Sequence, residues 1–246
     1  MSKLKKLGTL GTVGVLITGG LMLGSSPANA VTCSNSTTLP TNSMTGTTVA
    51  ATGFEAASLA PFVASTATTG TATVSTSQHF SGTCAAKLHV TSDSGSLAKL
   101  SVSLGSTAAK RANADGRFNI TTAGLAGNDV PYLRFFSNGT RIADIYRYNS
   151  NGQLWLRVTA PNGTFSYTKL KSSSIPLSTW HRAQMEVTAD GSASTIKVWF
   201  DGVLEFSSSA VNLGVTSLTH VQLGAEHSRQ MGDEYIDSVI VKKASS

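Results

Sequence analysis

Short runs of alternating apolar and polar residues, separated by Asn-Gly and Asp-Gly dipeptides, dominate this chain of 246 residues. The dipeptides stand at positions 138–139, 151–152, 162–163, 190–191 and 201–202. Such dipeptides readily adopt the positive φ angles that tight β-hairpins require. Because no segment shows a sustained helical period, we expect an all-β protein with an antiparallel meander over 130–208.

The alternation predicts twelve short strands. They fall at 83–91, 97–104, 116–122, 130–137, 140–148, 153–159, 164–170, 180–189, 195–200, 203–208, 218–225 and 234–242. No repeat of 20–50 residues accompanies them, which argues against a β-propeller. We therefore predict one β-sandwich over 49–246, preceded by a Ser/Thr-rich leader at 31–48.

The first thirty residues have the organisation of a secretory signal peptide. Three lysines at positions 3, 5 and 6 precede an apolar stretch at 7–23, and Ala28-Asn29-Ala30 follows. A membrane-anchoring helix is the alternative, but five glycines interrupt the apolar stretch and no second apolar span follows. We expect cleavage after Ala30, and hence a secreted, extracellular protein without a membrane segment.

The charge of the chain is low and gives little support to an acidic partner. Charged residues make up 13 % of the sequence, whereas serine and threonine together number 65. The formal charge of +6 falls to +3 when the three lysines of the signal segment are removed. Since nucleic-acid-binding proteins concentrate basic residues and this chain does not, we do not expect it to bind nucleic acid. We also expect a monomer.

Cys33 and Cys84 are the two cysteines of the chain. In an oxidising compartment they can form a disulfide that ties the leader to the sandwich. Two free thiols or a redox-active pair are the alternatives, although a separation of 51 positions does not fit a Cys-x-x-Cys redox motif.

Three motifs in the C-terminal half carry a family resemblance. They are a Trp-His pair in 174–181, an Asp-Gly hairpin in 197–203 and an Asp-bearing strand in 232–241. This series resembles the laminin G-like branch of the concanavalin A-like lectin/glucanase superfamily, of the secreted bacterial type. Gly53-Phe54-Glu55 and His79-Phe80-Ser81-Gly82 are also similar to the opening of many secreted jelly-roll modules. The resemblance covers about 49–243 and implies a two-sheet antiparallel jelly-roll β-sandwich with a concave face that often binds glycans.

Glu55 and Asp237 are the candidate metal ligands. The first and last strands of a jelly roll are commonly neighbours, which would bring these two carboxylates together. In similar modules a calcium ion often lies where the opening Glu and the closing Asp meet, so the resemblance implies a structural Ca²⁺ there. Asp233 is a weaker third candidate. The alternative is a pair of solvated carboxylates or a salt bridge to a basic residue.

A second group of residues recurs on one face of the predicted meander. If Leu133 and Phe135 point inward, alternation places aromatic, basic and amide side chains on the opposite face. The predicted carbohydrate-binding residues are Tyr132, Arg134, Asp144, Tyr146, Tyr148, Trp155, Arg157, Arg182 and Gln184, with Tyr167 and Lys169 as possible additions. Aromatic rings offer apolar surfaces to sugars, and the polar groups can bind hydroxyls or uronates. We expect a polysaccharide-binding face; an ordinary polar sheet face is the alternative.

Catalysis has weaker support in the sequence. The E-x-D-x-x-E run of concanavalin A-like glucanases is absent, so we assign no catalytic residue. The enzymatic alternative is a lyase acting on a uronate-containing polysaccharide, with candidates Tyr132, Arg134, Tyr146, Arg182, Gln184 and His89. Neither an R-x-E-L-R strand nor a Q-I-H triplet, which similar lyases carry, is present. The loop at 227–230 could line the same groove. An adhesion or structural module that binds protein is a further alternative.

Overall fold

The computed structural model describes residues 32–34, 38–105 and 109–244, which belong to one compact unit. The predicted signal peptide lies outside these residues. Within the described ranges, no helix is long and apolar enough to cross a membrane.

Fifteen strands occupy the described residues, joined by turns and two 3₁₀ turns at Gly191–Ala193 and Ser228–Gln230. The strands are β1 Thr47–Thr52, β2 Val63–Ala67, β3 Thr71–Ser75, β4 Ala85–Val90, β5 Leu97–Ser103, β6 Arg111–Thr122, β7 Asp129–Ser137, β8 Thr140–Tyr148, β9 Leu154–Thr159, β10 Phe165–Lys171, β11 His181–Thr188, β12 Thr195–Phe200, β13 Val203–Ser207, β14 His220–Ala225 and β15 Gly232–Ala244. All twelve predicted strands are present, and the all-β prediction is confirmed.

The sequence did not reveal β1, β2 and β3. Every residue of β2 is exposed and β3 contains only small or polar residues apart from one valine, so neither shows apolar alternation. The strand β6 also begins five residues earlier than predicted, because its first inward side chains are the small Ala112 and Ala114.

The strands form two antiparallel sheets. The first sheet has the order β13-β12-β11-β6-β15-β4-β3, with β1 also paired to β15, and the second has the order β10-β9-β8-β7-β14-β5-β2. The first and last strands are therefore neighbours, as a jelly roll requires; Thr48, for example, pairs with Lys242.

A single hydrophobic core lies between the two sheets. Tyr132 of β7 illustrates how the sheets meet, because its ring contacts Phe118 of β6 and Phe200 of β12 edge-on, with centroids 5.5 and 5.8 Å apart. Since the inner faces are filled by these packed side chains, any ligand site must lie on an outer face or at the ends of the sheets.

The N-terminal segment is fastened across the outside of the first sheet. A disulfide joins Cys33 to Cys84, which confirms the predicted pairing. Lys242 of β15 donates hydrogen bonds to the carbonyl oxygens of Asn42 (3.0 Å) and Met44 (2.8 Å). These contacts place the N-terminal segment over part of the first sheet's outer face.

Candidate functional site

Three neighbouring strands of the second sheet present an aromatic and charged outer face. On β9, Leu154, Leu156 and Val158 enter the core, so Trp155 and Arg157 point outward. The antiparallel register places Tyr146 of β8 beside Trp155 and Asp144 beside Arg157.

On the other side of β9, Tyr167 and Lys169 of β10 pair with Arg157 and Trp155. Cross-strand pairing thus gathers five of the nine predicted residues in one place, namely Asp144, Tyr146, Tyr148, Trp155 and Arg157.

These side chains border a cleft of about 510 Å³. The residues that line the cleft are Gly127, Asn128, Asp129, Tyr146, Tyr148, Trp155, Arg157 and Tyr167. Tyr146 is buried at the bottom, whereas Tyr167 is 53 % exposed at the rim. Four aromatic side chains in one open cleft of this size form a surface suited to a flat, partly apolar ligand.

Arg157 is held at the floor of the cleft by two carboxylates. Its Nε and Nη2 donate to Asp144 at 2.9 and 2.6 Å, and Nη2 also donates to Asp129 at 3.1 Å. Burial works to lower the pKa of Arg157, but the hydrogen bonds and charges of Asp144 and Asp129 more than offset it and raise the pKa. The guanidinium therefore stays charged and fixed.

Two cations also contact aromatic rings in the cleft. The guanidinium of Arg157 lies 4.9 Å from the ring centre of Tyr146, and the ammonium of Lys169 lies 5.4 Å from that of Trp155. Burial raises the pKa of Tyr146, although the positive charge of Arg157 acts against it. Tyr146 therefore remains a neutral phenol. The indole N–H of Trp155 is buried without a hydrogen-bond partner in the protein.

Arg134 points to the same outer face but lies beneath other side chains. It is fully buried and donates to Gln222 at 2.7 Å and to Gln230 at 3.1 Å, while Glu226 lies 3.4 Å away. Gln230 belongs to the 3₁₀ turn Ser228–Gln230. Arg134 is therefore covered and is not accessible to a ligand in this structure.

Tyr132 does not lie on the outer face, and its predicted orientation is wrong. A β-bulge between Pro131 and Leu133 places an extra residue in β7. Alternation extended backward from Leu133 and Phe135 therefore assigns Tyr132 to the wrong side, and its ring is 1 % exposed in the core.

Arg182 and Gln184 do not join the cleft either, because β11 belongs to the first sheet. Arg182 forms a two-pronged ion pair with Asp115 of β6 at 2.9 and 2.7 Å, and Gln184 donates to the same carboxylate at 3.0 Å. The N-terminal segment adds a hydrogen bond from Asn42 to Asp115 at 3.1 Å. The prediction that these two residues share one face with Trp155 is therefore wrong.

The residues proposed for a lyase are dispersed in the same way. His89 lies on β4 of the first sheet, where its Nδ1 contacts Asp233. Asp233, the third candidate calcium ligand, also lies 3.6 Å from Lys87. Of that set, Arg134 and Tyr146 lie on the second sheet's outer face, where Arg134 is covered, whereas Arg182 and Gln184 share Asp115 on the first sheet.

Glu55 and Asp237 both bind the loop that precedes β4. Oε1 of Glu55 accepts hydrogen bonds from the backbone N–H groups of Thr83 (2.9 Å) and Cys84 (2.8 Å). Oδ2 of Asp237 accepts from the N–H groups of Phe80 (2.8 Å) and Ser81 (2.9 Å). Glu55 and Asp237 thus act together to hold this loop through hydrogen bonds to its backbone.

This set of contacts does not fit a calcium site. A calcium ligand must direct oxygen lone pairs at the ion, whereas here N–H donors already face both carboxylates. Within the described ranges, no group of three His, Cys, Asp or Glu side chains is placed to hold a metal. Calcium at Glu55 and Asp237 stays a prediction without support from the geometry, and the melting temperature with and without EDTA would test it.

The sequence pattern did not indicate that Asp129, Gln222 and Gln230 contact the arginines of this face. Asp129 stands one residue before the predicted β7, so a longer strand would have placed it opposite Val130, on the outer face. Gln222 follows the alternation of β14, but an isolated glutamine gives no sign of a buried arginine partner. Gln230 comes from a loop, and only the tertiary structure brings it to Arg134.

No family model and no curated protein matches this sequence. Among solved structures, an endo-β-1,4-glucuronan lyase from the fungus Trichoderma reesei superposes with a TM-score of 0.61 and 17 % identity, over 76 % of this chain and 92 % of the lyase. The cellulose-induced protein Cip1 also gives 0.61, with 15 % identity over 79 % of this chain and 96 % of Cip1.

A third similar structure is domain 4 of the arabinanase AbnA from Geobacillus stearothermophilus, in complex with arabinotriose. It gives a TM-score of 0.54 and 14 % identity over 82 % of this chain and 94 % of that domain. At these identities the likeness establishes the fold alone. The chain folds as an antiparallel jelly-roll β-sandwich, consistent with the concanavalin A-like architecture, and its assignment to the laminin G-like branch stays a prediction.

Proposed function

We propose that this protein binds a polysaccharide in the cleft on the outer face of the second sheet. The observation that carries the proposal is the grouping of Tyr146, Tyr148, Trp155 and Tyr167 around one open cleft. Sugar rings have apolar faces that pack against aromatic rings, and hydroxyl groups at their edges that need hydrogen-bond partners.

Polar groups at suitable positions accompany the aromatic rings. Asn128 and Asp129 border the cleft with oxygen acceptors. Because Arg157 is fixed by three hydrogen bonds to Asp129 and Asp144, it holds the floor in one arrangement. A preorganised floor loses little conformational entropy when a ligand binds.

The comparisons support the same class of ligand. One similar protein is named as a glucuronan lyase, and another is a domain of an arabinanase with arabinotriose bound. We also propose that the protein is secreted, since disulfides such as Cys33–Cys84 form and persist mainly in oxidising compartments outside the cytosol.

Binding without catalysis is favoured over the lyase alternative by the state of the candidate residues. A lyase needs a group that removes a proton from the sugar beside a group that neutralises the uronate. Arg182, Gln184 and His89 lie on the first sheet, away from Tyr146. Arg134, which could neutralise a uronate, is fully buried beneath Gln230. A uronate lyase would release an unsaturated sugar, and we expect no rise in ultraviolet absorbance when the protein is mixed with uronate polymers.

The substitution Trp155→Ala tests the proposed site. Loss of an aromatic platform typically costs about 2 kcal/mol or more in binding at the centre of an interface, so we expect affinity to fall at least tenfold. Affinity electrophoresis through a panel of plant, algal and microbial polysaccharides identifies a ligand, and titration calorimetry measures the change.

Trp199→Ala is the matched control, since Trp199 is a half-buried tryptophan on β12 of the first sheet. It should leave the affinity unchanged. Equal losses in both variants, or no binding to any polysaccharide by the unaltered protein, would contradict the proposal.

A further inference from the structure

Arg157 and its neighbours Arg141 and Arg134 on the second sheet are paired with the protein's own carboxylates. From this we infer that the cleft selects neutral polysaccharides and discriminates against chains of uronate residues. The inference rests on the proposed function and specifies its substrate class. It is carried by the ion pairs of Arg157, Arg141 and Arg134.

Arg157 offers no free charge to an anionic ligand. It lies between Asp144 and Asp129, with Nη2–Oδ2 distances of 2.6 and 3.1 Å. Arg141 lies 3.3 Å from the second oxygen of Asp144, so this group contains two positive and two negative charges. A uronate that approached Arg157 would have to displace Asp129 or remain next to it, and both alternatives are unfavourable.

Arg134 is neutralised in a similar way. Its guanidinium is fully buried, with Glu226 at 3.4 Å and the amide oxygens of Gln222 and Gln230 accepting its hydrogen bonds. Its full burial leaves no exposed surface of the guanidinium for a carboxylate on a sugar.

Lys169 of β10, beside Trp155, forms no ion pair with a carboxylate among the described residues. It is exposed at the rim, where its ammonium lies over the ring of Trp155. An exposed charge of this kind contributes at most about 1 kcal/mol to an ion pair and is screened by salt. An ion pair with Lys169 therefore cannot offset the free-energy cost of placing a carboxylate near Asp129 and the aromatic rings of the cleft.

The aromatic rings disfavour anions further. The faces of Tyr and Trp rings are electron-rich, so they attract apolar C–H surfaces and repel a carboxylate held against them. A neutral sugar places C–H groups on Trp155 and Tyr146 and hydroxyls on the polar edge at Asn128 and Asp129. A uronate at the same position brings a negative charge near Asp129.

Matched pairs of polymers that differ only at C6 test this inference. A β-1,4-glucan is compared with β-1,4-glucuronan, and a β-1,4-mannan with β-1,4-mannuronan, as soluble oligosaccharides of equal length in titration calorimetry with the unaltered protein. We expect the neutral member of a pair to bind at least about tenfold more tightly than its uronate counterpart. Its affinity should also be unchanged between about 0.05 and 0.5 M NaCl.

Equal or tighter binding of a uronate member would overturn the selectivity while leaving polysaccharide binding intact. Binding of neither member, in these pairs and across the wider panel, would overturn the proposed function together with the inference.

Asp129→Asn provides a second, independent readout. The substitution keeps the shape of the side chain but removes one of the two charges that neutralise Arg157, so affinity for the uronate member should rise several-fold relative to the neutral one. Asp93→Asn is the matched control, because Asp93 lies in the exposed loop between β4 and β5 and does not line the cleft. An unchanged preference in Asp129→Asn, with an unchanged melting temperature, would contradict the electrostatic explanation.

Discussion

The side chain of Glu55 holds two separate segments of the chain, at Ser34 and at Thr83-Cys84. Its carboxylate accepts hydrogen bonds from the backbone N–H groups of Ser34 (3.1 Å), Thr83 (2.9 Å) and Cys84 (2.8 Å). Burial works to raise the pKa of Glu55, yet the hydrogen bonds from Ser34, Cys84 and Thr83 lower it to about 2. The hydrogen bonds of the folded state therefore favour the ionised carboxylate, and the stability of the fold at neutral pH depends in part on that charge.

Glu55→Gln should destabilise the protein at neutral pH by about 1.5–3 kcal/mol, the usual contribution of hydrogen bonds to a charged group. Because the pKa is depressed in the folded state, the stabilisation is complete above about pH 4.5 and is lost as the pH falls towards 2. The variant should therefore lose less stability over this range than the unaltered protein. Urea unfolding at a series of pH values measures both effects.

Asp237→Asn serves as the control for this pH dependence. Burial raises the pKa of Asp237 despite the hydrogen bonds from Ser81, Phe80 and Ser238, so its titration acts with the opposite sign. The Asn variant should retain the loss of stability towards pH 2. If both variants changed the acid sensitivity equally, Glu55 would not be its source.

Two-residue turns set the pairing of adjacent strands at the level of elements. Asn138-Gly139 joins β7 to β8 with φ angles of 45° and 81°, and Asp201-Gly202 joins β12 to β13 with 51° and 83°. Positive φ at both positions is the signature of the type I′ turn, whose twist matches that of paired strands. The hairpin β7–β8 in turn places Tyr146 and Tyr148 in the cleft.

Gly139→Ala and Gly202→Ala should each destabilise the protein by about 1 kcal/mol, because a side chain disfavours the left-handed conformation. No atom lies within 4 Å of the position that either new methyl group would take, so the cost is conformational and not steric. Gly53→Ala is the control, since Gly53 has no positive φ and the nearest atom to its added methyl is 3.6 Å away. Denaturant unfolding should show no comparable loss in that variant.

The two sheets share one core, which makes the sandwich a single structural unit. Tyr132 of the second sheet packs between Phe118 and Phe200 of the first, and all three rings are buried. Neither sheet could keep these side chains out of water on its own. We therefore expect the sheets to unfold together.

Single-tryptophan variants test this cooperativity. The chain has three tryptophans, of which Trp155 lies on the second sheet and Trp199 on the first. Variants that retain only one of these two, with phenylalanine at the other two positions, should each show fluorescence and far-ultraviolet circular dichroism transitions at one urea concentration. Separate midpoints for the two probes within either variant would show that the sheets unfold independently.

The sequence predicted most of the fold because the patterns that specify strands and turns are local. Trp155 and Arg157 alternate with Leu154 and Leu156, so their outward orientation follows from the run itself. The bulge at Tyr132 interrupts that logic, since a single inserted residue reverses every orientation assigned across it. The apolar–polar alternation of the β7 sequence does not indicate where the bulge lies.

Local pattern alone determined that this chain is an all-β sandwich, that its Asn-Gly and Asp-Gly dipeptides form turns, and that Trp155 and Tyr146 face away from the core. The tertiary structure decided which strands are neighbours. It placed Arg182 and Gln184 in the other sheet, covered Arg134 with Gln230 and set Asp129 against Arg157. The physical reason is that side-chain direction depends on backbone alternation within one strand, whereas pairing and charge neutralisation depend on contacts between residues far apart in the chain.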